Sequence, residues 1–581
     1  MGCSGCWKKM VAALSALLIL HVYCFARRDR DFSFMHQATR APMVSYYDYI
    51  IVGGGTAGCA LAATLSQSSS VLLLERGGSP FGNPNTTYLS AFGAALSDLS
   101  PKSPSQRFVS EDGVINARAR VLGGGSALNA GFYSRAGSEF IANAGWDAKL
   151  VNESYRWVER MVAFHPPLRQ WQLAVRNSLL EIGIRPYNGY TLDHLYGTKV
   201  GGTIFDRYGR RHSSADLLYY ANPSGLTVFL HGPVQKILFT TEGKSKPIAD
   251  GVIFKDANGV SHWAYLRKGA KNEVIVCSGA LGSPQLLMLS GLGPEKHLEA
   301  HNISVVLDLP LVGQGMSDNP MNAVFVPSPR PVEVSLIQVV GITHNGIYIE
   351  GASGENFARE TKRTRDFGMF SPKIGQLSTS PPKQRTEEVL NRAIEAMRFL
   401  PRSAFLGGFI LEKIMGPLSR GHLELRSTNP NHNPAVTFNY FQDPGDLEKC
   451  VQGIKIIEKV IESRSFSRFR YNHLPITTLL NMTANSPVNL LPKHANASRS
   501  LEQFCRDTVT TIWHYHGGCQ IDKVVDHDYK VIGVDSLRVI DGSTFDYSPG
   551  TNPQATVMML GRYMGVKMLH ERNANMIPDS N

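Results

Sequence analysis

The sequence predicts an α/β chain in which a parallel, helix-covered sheet is interleaved with a second, α+β domain. Three observations predict it. Near the N-terminal end a β-branched run leads through spaced glycines into an Ala- and Leu-rich stretch. A second apolar run, Val71 to Leu74, follows at once and ends in a glutamate. At the far end of the chain another strand, a loop and an apolar helix close the sequence, with different material between. At 581 residues the chain is too long for one ordinary core, so two discontinuous domains are expected.

The first run is YDYIIVGGGTAG, Tyr47 to Gly58, which reads as strand, tight turn and helix with Gly53, Gly55 and Gly58 at G-x-G-x-x-G spacing. Gly53 permits the turn, Gly55 lets the backbone approach a diphosphate, and Gly58 lets helix and strand pack closely. The diphosphate would sit on the free N–H groups at the helix N-terminus. Glu75, seventeen residues after Gly58, stands where a carboxylate accepts hydrogen bonds from a ribose diol. These features predict an adenine dinucleotide, NAD or FAD, on a Rossmann-like domain.

Further along, Arg76 to Ser90 is rich in Gly, Pro and Asn and predicts a loop. A second glycine cluster spans Ala119 to Gly137, and residues 150–185 carry helical periodicity broken at Pro166-Pro167. Two strand-like stretches then appear, from Leu226 to Phe239 and from Lys271 to Gly279, followed by a helix opening at Ser283-Pro284. Residues 352–395 are polar and charge-rich, which predicts an insertion or mobile loop. His422 to Ser463 reads as strand, turn and a long amphipathic helix.

The composition, 43% hydrophobic and 18% charged, is that of a globular protein. The net charge of +11 comes from scattered basic residues, so no nucleic-acid groove is expected. Lys8-Lys9 precede an apolar run from Met10 to Ala26, with small residues at Cys24 and Ala26, the pattern of a cleaved signal peptide over 1–26. A retained anchor is the alternative, and no stable membrane span is expected in the mature chain. Sequons at Asn85, Asn152, Asn302, Asn481 and Asn496 fit glycosylation along a secretory route. Outside the leader the cysteines are Cys59, Cys277, Cys450, Cys505 and Cys519, with no zinc-type spacing. Cys59 and Cys277 read as small buried hydrophobes.

Two long stretches carry a resemblance. Ala119-Arg120-Val121-Leu122-Gly123-Gly124-Gly125-Ser126-Ala127-Leu128-Asn129 and Gly279 to Gly293 match two signatures, and Val312 to Pro320 matches a further segment. By these the chain resembles the glucose-methanol-choline (GMC) FAD oxidoreductases, most closely the plant HOTHEAD-like and mandelonitrile-lyase-like branch. The resemblance implies FAD. It implies Thr56, Ala57, Glu75 and Arg76 at the ADP half, Val234 at the adenine, and Val121, Ser126, Asn129 and Ala130 along the flavin and diphosphate. Trp513, His514, Asp541, Gly542, Pro553 and Gln554 complete the expected cofactor contacts. Members with tethered flavin carry a histidine in the second glycine loop; Ala127, Leu128 and Asn129 supply none, so FAD is expected without a covalent link. On this basis the FAD-binding domain is expected over 46–140, 200–325 and 510–575, and the substrate-binding domain over 141–199 and 326–509.

The chemical centre is WHYHGG, Trp513 to Gly518. Histidines at i and i+2 share one face of a strand, but no third ligand lies at a local spacing, so no metal is expected. The resemblance implies His516 as catalytic base and Asn552 as its partner: neutral imidazole takes the hydroxyl proton while hydride leaves the carbon. It also suggests Tyr515 facing the substrate, while strand alternation would turn it away from His516, so both placements stay open, and Cys519 in the substrate pocket or simply buried. A Cys450–Cys505 disulfide is implied at matching positions of the lyase branch. The expected reaction is oxidation of a small-molecule alcohol, with a long-chain ω-hydroxy fatty acid suggested by analogy, and electrons passing to oxygen or another acceptor. A hydroxynitrile lyase and a non-catalytic secreted flavoprotein are the competing readings. The resemblance places the protein outside the cell, in the cell wall or apoplast.

Overall fold

The computed structural model describes residues 32–98, 100–330, 332–353, 407–485, 489–550 and 552–574. The leader and nearly all of the charge-rich stretch expected from 352 lie outside them. Six strands form a parallel sheet in the order Met35–Gln37, Leu226–Leu230, Val71–Leu74, Tyr49–Val52, Glu273–Val276 and Leu537–Val539. The last four are buried at every position, which is why they read as unbroken apolar runs rather than alternating ones. The two charges among them neutralise each other: Arg538 Nε and Nη2 donate to Glu273 Oε2 and Oε1 at 2.6 and 3.1 Å. Helix Gly58–Leu65, buried along its whole length, shares one apolar core with helix Gln554–Ala574.

A four-stranded sheet of Val234–Thr240, Ile248–Lys255, Ser261–Leu266 and Val44–Tyr47 flanks the first. The second large sheet has seven strands, in the order Thr510–Thr511, Pro320–Pro327, Gly407–Ile414, Ile347–Ser353, Val339–Ile342, Gly197–Val200 and Tyr187–Tyr190. Its neighbours run antiparallel except at the last pair. Side-chain alternation divides its two faces. Val324, Ile410 and Ile414 pack with Ile454 and Ile457 of helix Pro444–Glu462 and with helix Gln170–Glu181. Met321 and Leu411 face the other way, toward the parallel sheet. Cys450 and Cys505 form a disulfide with Cα atoms 6.2 Å apart, joining helices Pro444–Glu462 and Leu501–Thr508 on the outer layer.

Some boundaries differ from expectation. The strands Met35–Gln37 and Val44–Tyr47 begin the nucleotide-binding unit upstream of residue 46. Pro320–Pro327 and Thr510–Thr511 pair into the seven-stranded sheet rather than the parallel one. The helix expected to open at Ser283-Pro284 starts at Gly279 and carries Pro284 inside it.

Candidate active site

The glycine turn has the geometry its spacing predicts. Gly53 has φ 107°, and a Cβ on Gly58 would lie 2.0 Å from the Gly53 carbonyl oxygen, so a side chain at either would break the turn. Just beyond the parallel strands a cavity of about 420 Å³ opens at their carboxyl ends and reaches the inner face of the seven-stranded sheet. It is lined by Gly53, Gly55, Thr56, Ala57, Glu75, Arg76, Val121, Ser126, Asn129, Ala130, Val234, Trp513, His514, Asp541, Gly542, Pro553 and Gln554. Gly58 stands behind the wall, in the turn itself.

These residues fit a dinucleotide. Glu75 is buried, and its carboxylate holds the turn by accepting from Gly54 N–H at 3.0 Å and Gly77 N–H at 2.7 Å. Each oxygen retains a lone pair for a further donor. A Cβ built on Gly125, in the second glycine loop, would meet nothing within 4 Å, so this stretch of wall leaves room for a bulky group. Asn129 Nδ2 donates to Gln554 Oε1 at 2.9 Å, tying that loop to the C-terminal helix. Arg211, absent from every motif, lies beneath the same loop and donates to the Ser126 carbonyl and Asn129 Oδ1 at 3.1 and 3.0 Å. Burial draws its pKa down to about 9, and both of these acceptors are neutral, so the second glycine loop is braced by a buried guanidinium.

The WHYHGG segment departs from expectation. The strand ends at Thr511, and Trp513 takes φ 60°, so the i, i+2 alternation of a strand does not apply. His514 lines the cavity together with Asn552, whereas His516 does not. The His516 ring turns inward, Nδ1 lying 3.0 Å from the His514 carbonyl oxygen, and its backbone bridges to Ser317. The left-handed turn at Trp513 is the physical reason, because it reorients the chain between strand and loop. The segment is held by Asp318, which accepts from His514 N–H at 2.9 Å and from the Thr511 and Tyr440 hydroxyls at 2.6 Å each.

Tyr515 lines the same cavity, but its hydroxyl is engaged by the protein itself. Its hydroxyl donates to the Ala117 carbonyl, and its ring stacks on Phe438 at 5.7 Å. Cys519 is fully buried in the core rather than at the cavity wall.

At the far end of the cavity the wall is apolar: Met321, Ala323, Ile337, Phe409, Leu411 and Ile512 surround the approach to His514 and Asn552. His514 Nδ1 has no hydrogen-bond partner among the described residues. Burial first, then the Lys413 charge, holds its pKa well below the usual histidine range, so the ring is neutral at neutral pH and its unprotonated nitrogen can accept a proton. Behind Asn552, Lys413 Nζ donates to Asn552 Oδ1 at 3.0 Å and pairs with Glu350 Oε1 at 2.8 Å. Lys413 and Glu350 carry no motif signature that singles them out in the sequence, whereas Asp318 lies within the Val312–Pro320 segment, which by itself assigns it no role.

A dinucleotide-type fold whose cavity is also lined by an imidazole, an amide and apolar side chains fits a flavoprotein of the oxidoreductase class. Two family models, both described as GMC oxidoreductase, match residues 47–321 and 417–561. The chain belongs to the GMC oxidoreductase family. It is an FAD-dependent enzyme acting on CH–OH donors.

Protein HOTHEAD of Arabidopsis thaliana is 56% identical over 532 residues, covering 91% of this chain and 89% of that protein. The (R)-mandelonitrile lyase-like protein of Arabidopsis thaliana is 48% identical, covering 93% and 92%. Sinalpyl alcohol oxidase Nec3 of Nesocodon mauritianus is 40% identical, covering 93% and 91%. Among solved structures, pyridoxine 4-oxidase from Mesorbium loti shares the fold with a TM-score of 0.69 at 20% identity, over 90% of this chain and 99% of that one.

Proposed function

We propose that this protein oxidises an apolar alcohol to the aldehyde, with His514 as base and Asn552 as hydrogen-bond donor to the substrate oxygen. One observation carries the reading: His514 and Asn552 line the same apolar cavity that receives the dinucleotide fold's crevice. When bound, FAD supplies the two-electron acceptor for the hydrogen on the alcohol carbon. The residues named above along the glycine turn, the second glycine loop and the Asp541–Gly542 turn would hold it, without a covalent link.

The neutral His514 imidazole takes the hydroxyl proton, and an N–H of the Asn552 amide donates to the oxygen as charge develops on it. Loss of that proton and of hydride from the carbon leaves the carbonyl. The surrounding Met321, Ala323, Ile337, Phe409, Leu411 and Ile512 exclude water and favour a hydrocarbon substituent. The arginines lining the cavity, among those described, are Arg76, next to Glu75, and Arg118, on strand Ile115–Ala119. A long-chain ω-hydroxy fatty acid would therefore bind hydroxyl first and leave its carboxylate outside the chamber. The electron acceptor is oxygen or another carrier.

A hydroxynitrile lyase is the second reading, supported by the likeness to lyase-like relatives. It is disfavoured by Asn552, whose amide has no proton to give at ordinary pH. The signal-like leader and the sequons support a secretory route, ending outside the cell. Anaerobic mixing with a panel of aliphatic and aryl alcohols tests the reading. Flavin bleaching by an alcohol, with little cyanide released from mandelonitrile, is the expected result; cyanide release without bleaching by any alcohol would overturn it.

A further inference from the structure

The seven-stranded sheet gives the cavity a direction. Met321 of strand Pro320–Pro327 pairs with Thr510, whose strand leads into His514, and stands opposite Lys413, which donates to Asn552 Oδ1. This row of the sheet is therefore the one nearest the two groups of the reaction. Two residues further along, Ala323 stands opposite Leu411. Two further still, Phe325 stands opposite Phe409, which pairs on its other side with Ala352. Same-face positions along a strand are about 7 Å apart, so the third row lies roughly 14 Å from the first.

Met321, Ala323, Phe409, Leu411 and Ala352 all line the cavity, with Ile337 packed beside Met321 and Leu411. Their burial changes along this path. Met321 and Leu411 are buried, whereas Ala323, Phe409 and Ala352 are half-buried. The alternate positions Asn322, Val324, Ile410 and Gly351, on the opposite face, are all buried, so the loss of cover belongs to the cavity side. The wall thus forms an apolar channel that runs along the strands and opens with distance from His514. Alanine sets its width at two points, in rows where the neighbours are leucine and phenylalanine. A larger side chain at either point would project into the channel.

We propose that the substrate is an unbranched alkyl alcohol whose chain lies along this channel, and that Ala323 and Ala352 determine which chain lengths the enzyme takes. The inference rests on the reading of His514 as the base of alcohol oxidation and adds where the rest of the substrate goes. With the carbinol carbon beside His514, an extended chain places about its sixth carbon level with Ala323 and about its eleventh level with Ala352. An aryl group on the carbinol carbon would fill only the first part of the channel. Each methylene buried on the way raises the second-order rate of flavin reduction on the order of two- to fourfold.

The test is anaerobic flavin reduction of the FAD-loaded enzyme by primary alcohols from butanol to tetradecanol, with the second-order rate plotted against chain length. In wild type the rate should climb by that factor per methylene to about eleven carbons and then flatten. Ala323→Phe should stop the climb near about six carbons. Ala352→Phe should keep the climb through octanol and slow only the longer chains. FAD content and melting temperature, read in parallel, should stay near wild type in both. If Ala323→Phe loses FAD or unfolds, Ala323→Leu replaces it, and its break should fall between that of the Phe variant and that of wild type.

A break at the same chain length in wild type and both variants would overturn the proposal. So would variants that slow every alcohol by one common factor, the signature of a distorted site rather than a blocked channel. Bleaching by aryl alcohols with no dependence on alkyl length would also sink it, while leaving alcohol oxidation at His514 standing. No bleaching by any alcohol would instead overturn that reading itself.

Discussion

His516 Nδ1 lies 3.0 Å from the backbone carbonyl oxygen of His514. The second imidazole of the WHYHGG segment therefore braces the backbone that presents the first one to the cavity. With Asp318 accepting from His514 N–H at 2.9 Å, the peptide on each side of His514 is tied down, and its ring is left for chemistry.

This relationship predicts unequal effects of removing the two histidines. His514→Ala should slow flavin reduction by about 10²–10⁴-fold, the usual loss of a positioned base, while FAD remains bound. His516→Ala leaves reduction within about tenfold and lowers stability by about 1–3 kcal/mol, the effect of a lost buried hydrogen bond and small cavity. Stopped-flow reduction and thermal melts on both variants check this. A dead His516→Ala enzyme beside a competent His514→Ala one would reverse the assignment.

The pH profile follows from burial. Desolvation disfavours imidazolium, and Lys413 repels it, so the His514 pKa is held well below 6.5. The protonated ring is the inactive form, so activity is lost only as pH falls through this depressed pKa. Flavin reduction at saturating alcohol should be flat from pH 8 to 6, with its acid limb lower still. A limb centred near an ordinary histidine value would show that the bound enzyme does not keep His514 desolvated.

The Cys450–Cys505 bridge closes a sequence separation of 55 residues on the helical layer, across the sheet from the cavity. Replacing both cysteines by alanine should cost about 2–4 kcal/mol, mainly by releasing the unfolded chain. FAD content and reduction rate should change little, because neither cysteine lines the cavity. Denaturant melts with flavin absorbance read in parallel would expose any coupling. Finding both thiols free in secreted protein would contradict the bridge.

Acid precipitation should release the flavin into the supernatant. The loop segment Ala127, Leu128 and Asn129 carries no histidine, and the wall at Gly125 is open rather than occupied by a nucleophile. Yellow colour remaining in the pellet would establish a covalent link.

Four sequon asparagines, Asn85, Asn302, Asn481 and Asn496, are exposed, whereas Asn152 is half-buried and accepts from Arg135 Nη1 at 3.4 Å. Protein from a secretory host should therefore carry glycans at the exposed four in preference to Asn152. Glycopeptide mapping decides it, and occupancy confined to Asn152 would go against the prediction.

The sequence by itself determined the features that are local in the chain. Strand, turn and helix around Gly53 to Gly58, the carboxylate at Glu75, the second glycine loop and the family signatures are contiguous, so spacing alone carries their physics. The buried parallel strands were legible for the same reason, as short apolar runs. Only the tertiary structure decided which histidine meets the cavity, because that turns on a single backbone angle at Trp513 that side-chain periodicity does not encode. It alone brought Lys413 to Asn552, 139 residues away, and Glu350 to Lys413 from the neighbouring strand. Such contacts are set by strand register and by packing two sheets around one cavity. Neither leaves a pattern in any short stretch of sequence.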